Sequence, residues 1–119
     1  MKEVALVFLG SGLGGASRYA MGLLCAYLYP TASFPIATMS VNIAGSFLIG
    51  ILFALPYHSM VLYMGIVGFC GGFTTFSAIS GDGMAMIRAG QWWFFAIYAL
   101  VTIILGVLAT WCGFLLASK

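Results

Sequence analysis

Between residues 4 and 116 the chain has only three charged side chains, Arg18, Asp82 and Arg88. Lys2, Glu3 and Lys119 complete the set, so 5% of the 119 residues are charged and 64% are hydrophobic. A soluble domain is roughly 25% charged. No water-soluble fold of this size could hide so much apolar surface, so the sequence predicts an integral membrane protein. A membrane helix needs about 20 apolar residues, and the chain supplies four such runs. The first covers residues 4–29 and ends in an uncharged break with Pro30, Thr31, Ser33 and Pro35. The second covers 36–55, before a turn at Pro56, Tyr57, His58 and Ser59. The third starts near Met60, is interrupted around residues 71–75, and resumes to about Ile87 with Asp82 in its second half. Arg88, Ala89, Gly90 and Gln91 link it to the fourth, residues 92–116. Trp92 and Trp93 stand where an interfacial aromatic belt is expected. The run after Lys2, with small residues near Ala16, has the outline of a signal peptide. Because everything downstream is equally hydrophobic, an uncleaved first membrane helix is the better reading.

The same composition excludes several functions. A net charge of +2 supplies no clustered basic face for nucleic acid. Cys25, Cys70 and Cys112 are odd in number and each sits in an apolar run, which argues against a disulfide framework. With no Cys-x-x-Cys and a single histidine, His58, no transition-metal site is visible. No catalytic dyad, phosphate loop or metal cluster points to an enzyme.

The third run is the unusual one. Residues 68–80 read G-F-C-G-G-F-T-T-F-S-A-I-S, placing Gly68, Gly71 and Gly72 just before Thr74, Thr75, Ser77 and Ser80. Glycine is a poor helix former, and non-helical backbone at membrane depth survives only inside protein or beside a wet cavity. The stretch therefore reads either as a broken helix at a pore or ion site, or as close helix packing through small residues. Residues four apart share a helix face. Thr38, Asn42, Ser46 and Gly50 form such a stripe in the second run, and Tyr98, Thr102, Gly106 and Thr110 form one in the fourth. Packing accounts best for the threonines and glycines. Asn42 stays open between a cross-helix bond and a donor to a pathway, since an unpaired amide in hydrocarbon is costly. Gly10 and Gly14 make a G-x-x-x-G that permits close helix contact.

Arg18 lies deep in the first run, where a guanidinium costs at least about 2.5 kcal/mol. It must face an aqueous vestibule, snorkel to the interface, or pair with a carboxylate. By elimination that carboxylate is Asp82, because Glu3 is terminal. Four crossings put both termini on one side, and the Lys/Arg asymmetry that fixes orientation is weak. Some copies can therefore insert each way up. Four helices enclose little pathway by themselves, which favours a homo-oligomer.

Three motifs occur in order: G-G-A-S-R-Y at residues 14–19, S-V-N-I-A-G-S-F-L-I-G at 40–50 and G-F-C-G-G-F-T-T-F-S at 68–77. With Tyr98 and Thr102 four apart in the fourth run, they make the chain resemble the fluoride channel family known as Fluc or CrcB. The resemblance implies an all-α membrane protein of four transmembrane helices, the third broken midway, paired as an antiparallel, dual-topology homodimer in the cytoplasmic (inner) membrane. It implies Na+ at the dimer centre, held by the backbone carbonyls of Gly71 and Thr74. It implies two fluoride paths per dimer, with Phe76 as the first pore phenylalanine and Asn42 as the pore asparagine. Ser77, Ser80 and Thr102 would supply hydroxyls along the path, Tyr98 a phenol, and Arg18 a vestibule charge. Asp82 stands where relatives have glutamate, and Ala37 and Thr38 where a Gly-Thr pair is common.

Two departures fall on the path itself. The family usually continues F-S-T-F-S, whereas this chain reads F-S-A-I-S, so Ala78 replaces a hydroxyl and Ile79 the second phenylalanine. Either conduction tolerates the change or a paralogous subunit supplies the missing face. The function implied is passive, selective fluoride efflux that lowers cytoplasmic fluoride, with no enzymatic activity. A small multidrug transporter, which needs a membrane-embedded carboxylate that only Asp82 could be, is the competing transport reading. A non-transporting assembly subunit is the third.

Overall fold

The computed structural model describes residues 1–119, all of them in helices or short connections. Helix α1 is Lys2–Leu28 and α2 is Ile36–Ala54. The third column has three pieces: a π-helix at Met60–Cys70, a single turn α3 at Gly71–Phe73, and α4 at Phe76–Arg88. Helix α5, Trp92–Ala117, completes the bundle. Its principal extents are 47 × 30 × 24 Å, long enough to cross a hydrocarbon core of about 30 Å.

The ends of these helices follow from local chemistry. Pro35, which has no N–H to lose, sits directly before α2. Pro56 forces Leu55 out of the helical region to φ −83°, ψ 154°, which ends α2. Helix α4 closes with a glycine in the left-handed region, Gly90 at φ 76°. The N–H of Gly90 donates to Ile87 O at 3.0 Å and that of Gln91 to Met86 O at 2.8 Å. That bond pair defines a Schellman cap, and Arg88 in the last turn complements the helix dipole.

Three columns are long and apolar enough to cross a membrane: Ile36–Ala54, Met60–Arg88 and Trp92–Ala117. Helix α1 matches them in length, with 27 residues, but Lys2, Glu3, Arg18 and its glycines make it more polar. The protein is therefore an all-helical, multi-pass membrane protein of four columns.

The columns pack as two pairs, α1 against the third column and α2 against α5. Gly10 and Gly14 of the G-x-x-x-G meet main-chain atoms of Met64, Gly68 and Phe69, with no room for a side chain between them. Gly72 is pressed in the same way against the backbone of Ser11. In the other pair Gly50 faces the carbonyl of Thr110, and Gly113 that of Phe47. Lipid is as apolar as leucine, so bilayer helices gain by bringing their backbones close rather than by burying large side chains. Accordingly Trp111, Val107 and Ile103 are exposed.

Candidate functional site

The third column breaks at Thr74 and Thr75. The sequence places the interruption at residues 71–75 and attributes it to glycine, but Gly71 is helical at φ −63°, ψ −37°. Gly68 and Gly72 pack against α1, while the two threonines are extended, at φ −78°, ψ 159° and φ −153°, ψ 118°. A break in the helix and close packing through small residues therefore both occur in this stretch, on different residues.

Side chains from two other columns hold the break open. The Thr75 N–H donates to Asn42 Oδ1 at 2.7 Å, and Asn42 Nδ2 donates to Thr75 O at 3.1 Å. One amide thus pairs with both polar groups of the same residue, as a neighbouring strand would. The Thr75 hydroxyl oxygen accepts from the Ala78 N–H at 3.1 Å, capping α4, and lies 3.0 Å from Ser77 Oγ. Thr74 Oγ1 donates back to Cys70 O at 2.8 Å.

These bonds leave the Gly71 and Thr74 carbonyls without their helical donors. The N–H groups that would reach Gly71 O and Thr74 O in a continuous helix belong to Thr75 and Ala78, and both are diverted to side-chain oxygens. The Gly71 and Thr74 carbonyls, which the resemblance names as ligands, are among those the break releases from helical pairing. Thr74 O accepts instead from Arg18 Nη1, at 3.1 Å.

An open cleft of about 500 Å³ lies beside the break, and Asn42, Gly71, Thr74, Phe76, Ile79 and Thr102 are among its walls. None of its lining residues is charged. Phe76 is 81% exposed and lines this cleft. A second cavity, of about 390 Å³, is lined by Arg18, Tyr19, Thr38, Thr75 and Ala78 with others. Thr75 is common to both, so the break separates an uncharged cleft from a cavity that bears Arg18.

The remaining expected residues fall elsewhere. Ser77 and Ser80 do not line the cleft; the Ser80 hydroxyl donates to Phe76 O at 3.2 Å. Tyr98 is 1% exposed, and its hydroxyl donates to Asp82 Oδ2 at 3.0 Å. The rings of Phe34 and Tyr98 pack edge-to-face with centroids 5.7 Å apart. Thr102 lines the cleft but donates its proton to Tyr98 O at 2.7 Å, leaving only acceptor capacity.

One expectation is corrected. Arg18 does not pair with Asp82: the chain's one ion pair joins the N-terminus to Glu3. The phenol of Tyr98 already satisfies Asp82, while the break offers Arg18 an unpaired carbonyl. The Asn42 amide, for its part, makes a cross-helix bond to the break and keeps one N–H to spare. The polar stripes of α2 and α5 face each other, with Thr110 Oγ1 donating to Ser46 O at 3.0 Å.

Sequence reasoning passed over Thr75, although a threonine directly before a helix restart is a recognisable N-cap signal. It also missed the Tyr98–Asp82 bond, which fastens α4 to α5. Tyr98→Phe is expected to destabilise the purified chain by about 1–3 kcal/mol, because Asp82 loses its donor at membrane depth. Asp82→Asn keeps an acceptor and should cost less. Thermal melts of both variants in detergent check the order.

A family model described as "CrcB-like protein, Camphor Resistance (CrcB)" matches residues 5–114. The chain is 40% identical over 122 aligned positions to the fluoride-specific ion channel FluC of Chlorobium luteolum, covering 98% of this chain and 92% of that protein. It is 39% identical over 127 positions to the protein of that name from Coxiella burnetii, covering 98% of each. With that of Bacteroides fragilis it shares 37% identity over 123 positions, covering 95% of this chain and 94% of the relative.

Proposed function

The chain belongs to the CrcB-like family, and on that premise we propose that it is a fluoride-selective channel through which the anion leaves the cytoplasm passively. It is a channel and not an enzyme. One observation carries the reading: an uncharged cleft at membrane depth, with an exposed phenylalanine and an amide-braced helix break in its wall. Fluoride enters cells as the neutral weak acid and dissociates, so a passive route for the anion suffices to lower its concentration. A narrow path must replace the water of a small, strongly hydrated ion with donors. The spare N–H of Asn42 is one donor, and the partly positive ring edge of Phe76 is another.

The cleft is open on one side, and polar backbone at membrane depth needs cover. A second copy running antiparallel supplies it, in a dual-topology homodimer of the cytoplasmic membrane. Across a two-fold axis the Gly71 and Thr74 carbonyls of both copies present four oxygens, a donor set suited to a hard cation such as Na+. The residues fit that ion: Gly71 O is free of helical pairing, and Thr74 O keeps a lone pair beside its bond from Arg18. When bound, the ion supplies positive charge and ties the subunits together.

Ile79 lines the cleft where a second ring edge is expected, so each subunit brings one aromatic to the path. A paralogous partner carrying both rings is the alternative assembly. Proton-coupled drug export is disfavoured, because the cleft has no carboxylate to exchange protons.

Growth tests the assignment. A bacterium deprived of its own fluoride exporter should regain growth in fluoride medium when it expresses this chain, with no gain in resistance to quaternary ammonium compounds. The reverse pattern contradicts the assignment. Phe76→Ile removes the single ring edge, an interaction on the scale of about 1 kcal/mol. Fluoride efflux from proteoliposomes should then slow about fivefold.

A further inference from the structure

Arg18 is unusual in where its charge is spent. Its guanidinium lies at membrane depth and has no carboxylate partner, since the chain's one ion pair is at the N-terminus. Asp82, the only acid within the helical columns beyond the first turn of α1, is held by Tyr98. The one hydrogen bond of Arg18 goes to Thr74 O, a carbonyl released by the helix break. A full positive charge therefore sits one hydrogen bond from an oxygen assigned above to a cation.

We propose that Arg18 is a positioning residue that sets the valence of the central cation site, orienting the Thr74 carbonyl while its charge keeps the site for a monovalent ion. The inference rests on the sodium reading. Na+ and Ca2+ are nearly equal in size, and carbonyl oxygens alone do not tell them apart by fit. A fixed positive charge does, because its repulsion scales with the charge of the bound ion. No carboxylate lines the cleft beside Gly71 and Thr74 to offset it. A penalty that merely weakens Na+ is therefore squared, as a binding ratio, for Ca2+.

The test is thermal stability of the purified full chain in detergent, titrated with NaCl or CaCl2 against choline chloride at constant ionic strength. The wild-type protein should gain stability with Na+ and not with Ca2+. In Arg18→Gln the half-saturating Na+ concentration should fall about tenfold, and a response to Ca2+ should appear. Arg18→Lys, which keeps the charge, should ignore Ca2+ as the wild type does. A purely structural arginine would instead weaken or spare both responses alike, and either result in Arg18→Gln overturns the proposal. A wild-type protein stabilised as strongly by Ca2+ as by Na+ also overturns it, which keeps the idea exposed even if Arg18→Gln does not fold. A wild-type protein indifferent to Na+ overturns the sodium site itself, and the role of Arg18 with it.

Discussion

Replacing Asn42 with alanine is expected to stop fluoride efflux and to destabilise the folded chain by about 2–5 kcal/mol. The amide bonds both the N–H and the C=O of Thr75, and Thr75 is only 8% exposed. Alanine removes the partner of both groups at once. The Thr75 N–H would then be drawn toward Gly71 O, the partner it has in a continuous helix. That closes the break and removes the carbonyls from reach of a cation. Asn42→Asp separates the two bonds, since a carboxylate accepts from the Thr75 N–H but has no proton for the Thr75 carbonyl. It should recover part of the stability but little of the flux. Thermal melts and efflux on the same three preparations would show whether stability and conduction part company in this order.

Gly14→Ala is expected to yield no folded protein, while Gly15→Ala, one residue along, should behave as wild type. A methyl group at Gly14 would overlap Phe69 O and lie 2.8 Å from the Phe73 nitrogen. Both are backbone atoms of the helical column against α1, so relief requires the pair to separate, at a cost of about 3 kcal/mol or more. At Gly12 and Gly15 an added methyl meets nothing within 4 Å. Size-exclusion profiles of the four variants with alanine at Gly10, Gly12, Gly14 or Gly15 should fall into two classes. Gly10 and Gly14 belong to the first and Gly12 and Gly15 to the second.

Much of this was legible in the sequence because the bilayer leaves few options. Long uncharged runs between Pro30, Pro56 and Gly90 place the helix ends to within a residue or two, since proline and left-handed glycine act locally. The break was visible in outline, but the glycines drew attention from the threonines. Composition shows that a helix is weak, not which of two neighbouring residue types gives way. That choice is made by Asn42, 33 positions away in sequence from Thr75, which no local pattern records. The pairing of Arg18 with Asp82 failed for a related reason. Elimination counts charges, whereas a freed carbonyl is a competing partner that appears only once the helix has opened. The π-helical winding of Met60–Cys70 has no counterpart in composition at all. Of the residues the resemblance assigns to a fluoride path, Asn42, Phe76, Ile79 and Thr102 line one cleft, whereas Ser77, Ser80 and Tyr98 lie outside its walls.

The central claim is that this single polypeptide opens an uncharged route for fluoride beside a helix held apart at Thr74 and Thr75. The most direct measurement is anion release from liposomes containing only this chain, with fluoride and chloride loaded in parallel. Rapid fluoride release with chloride retained is the predicted result. Equal release of both ions, or retention of both, would contradict it.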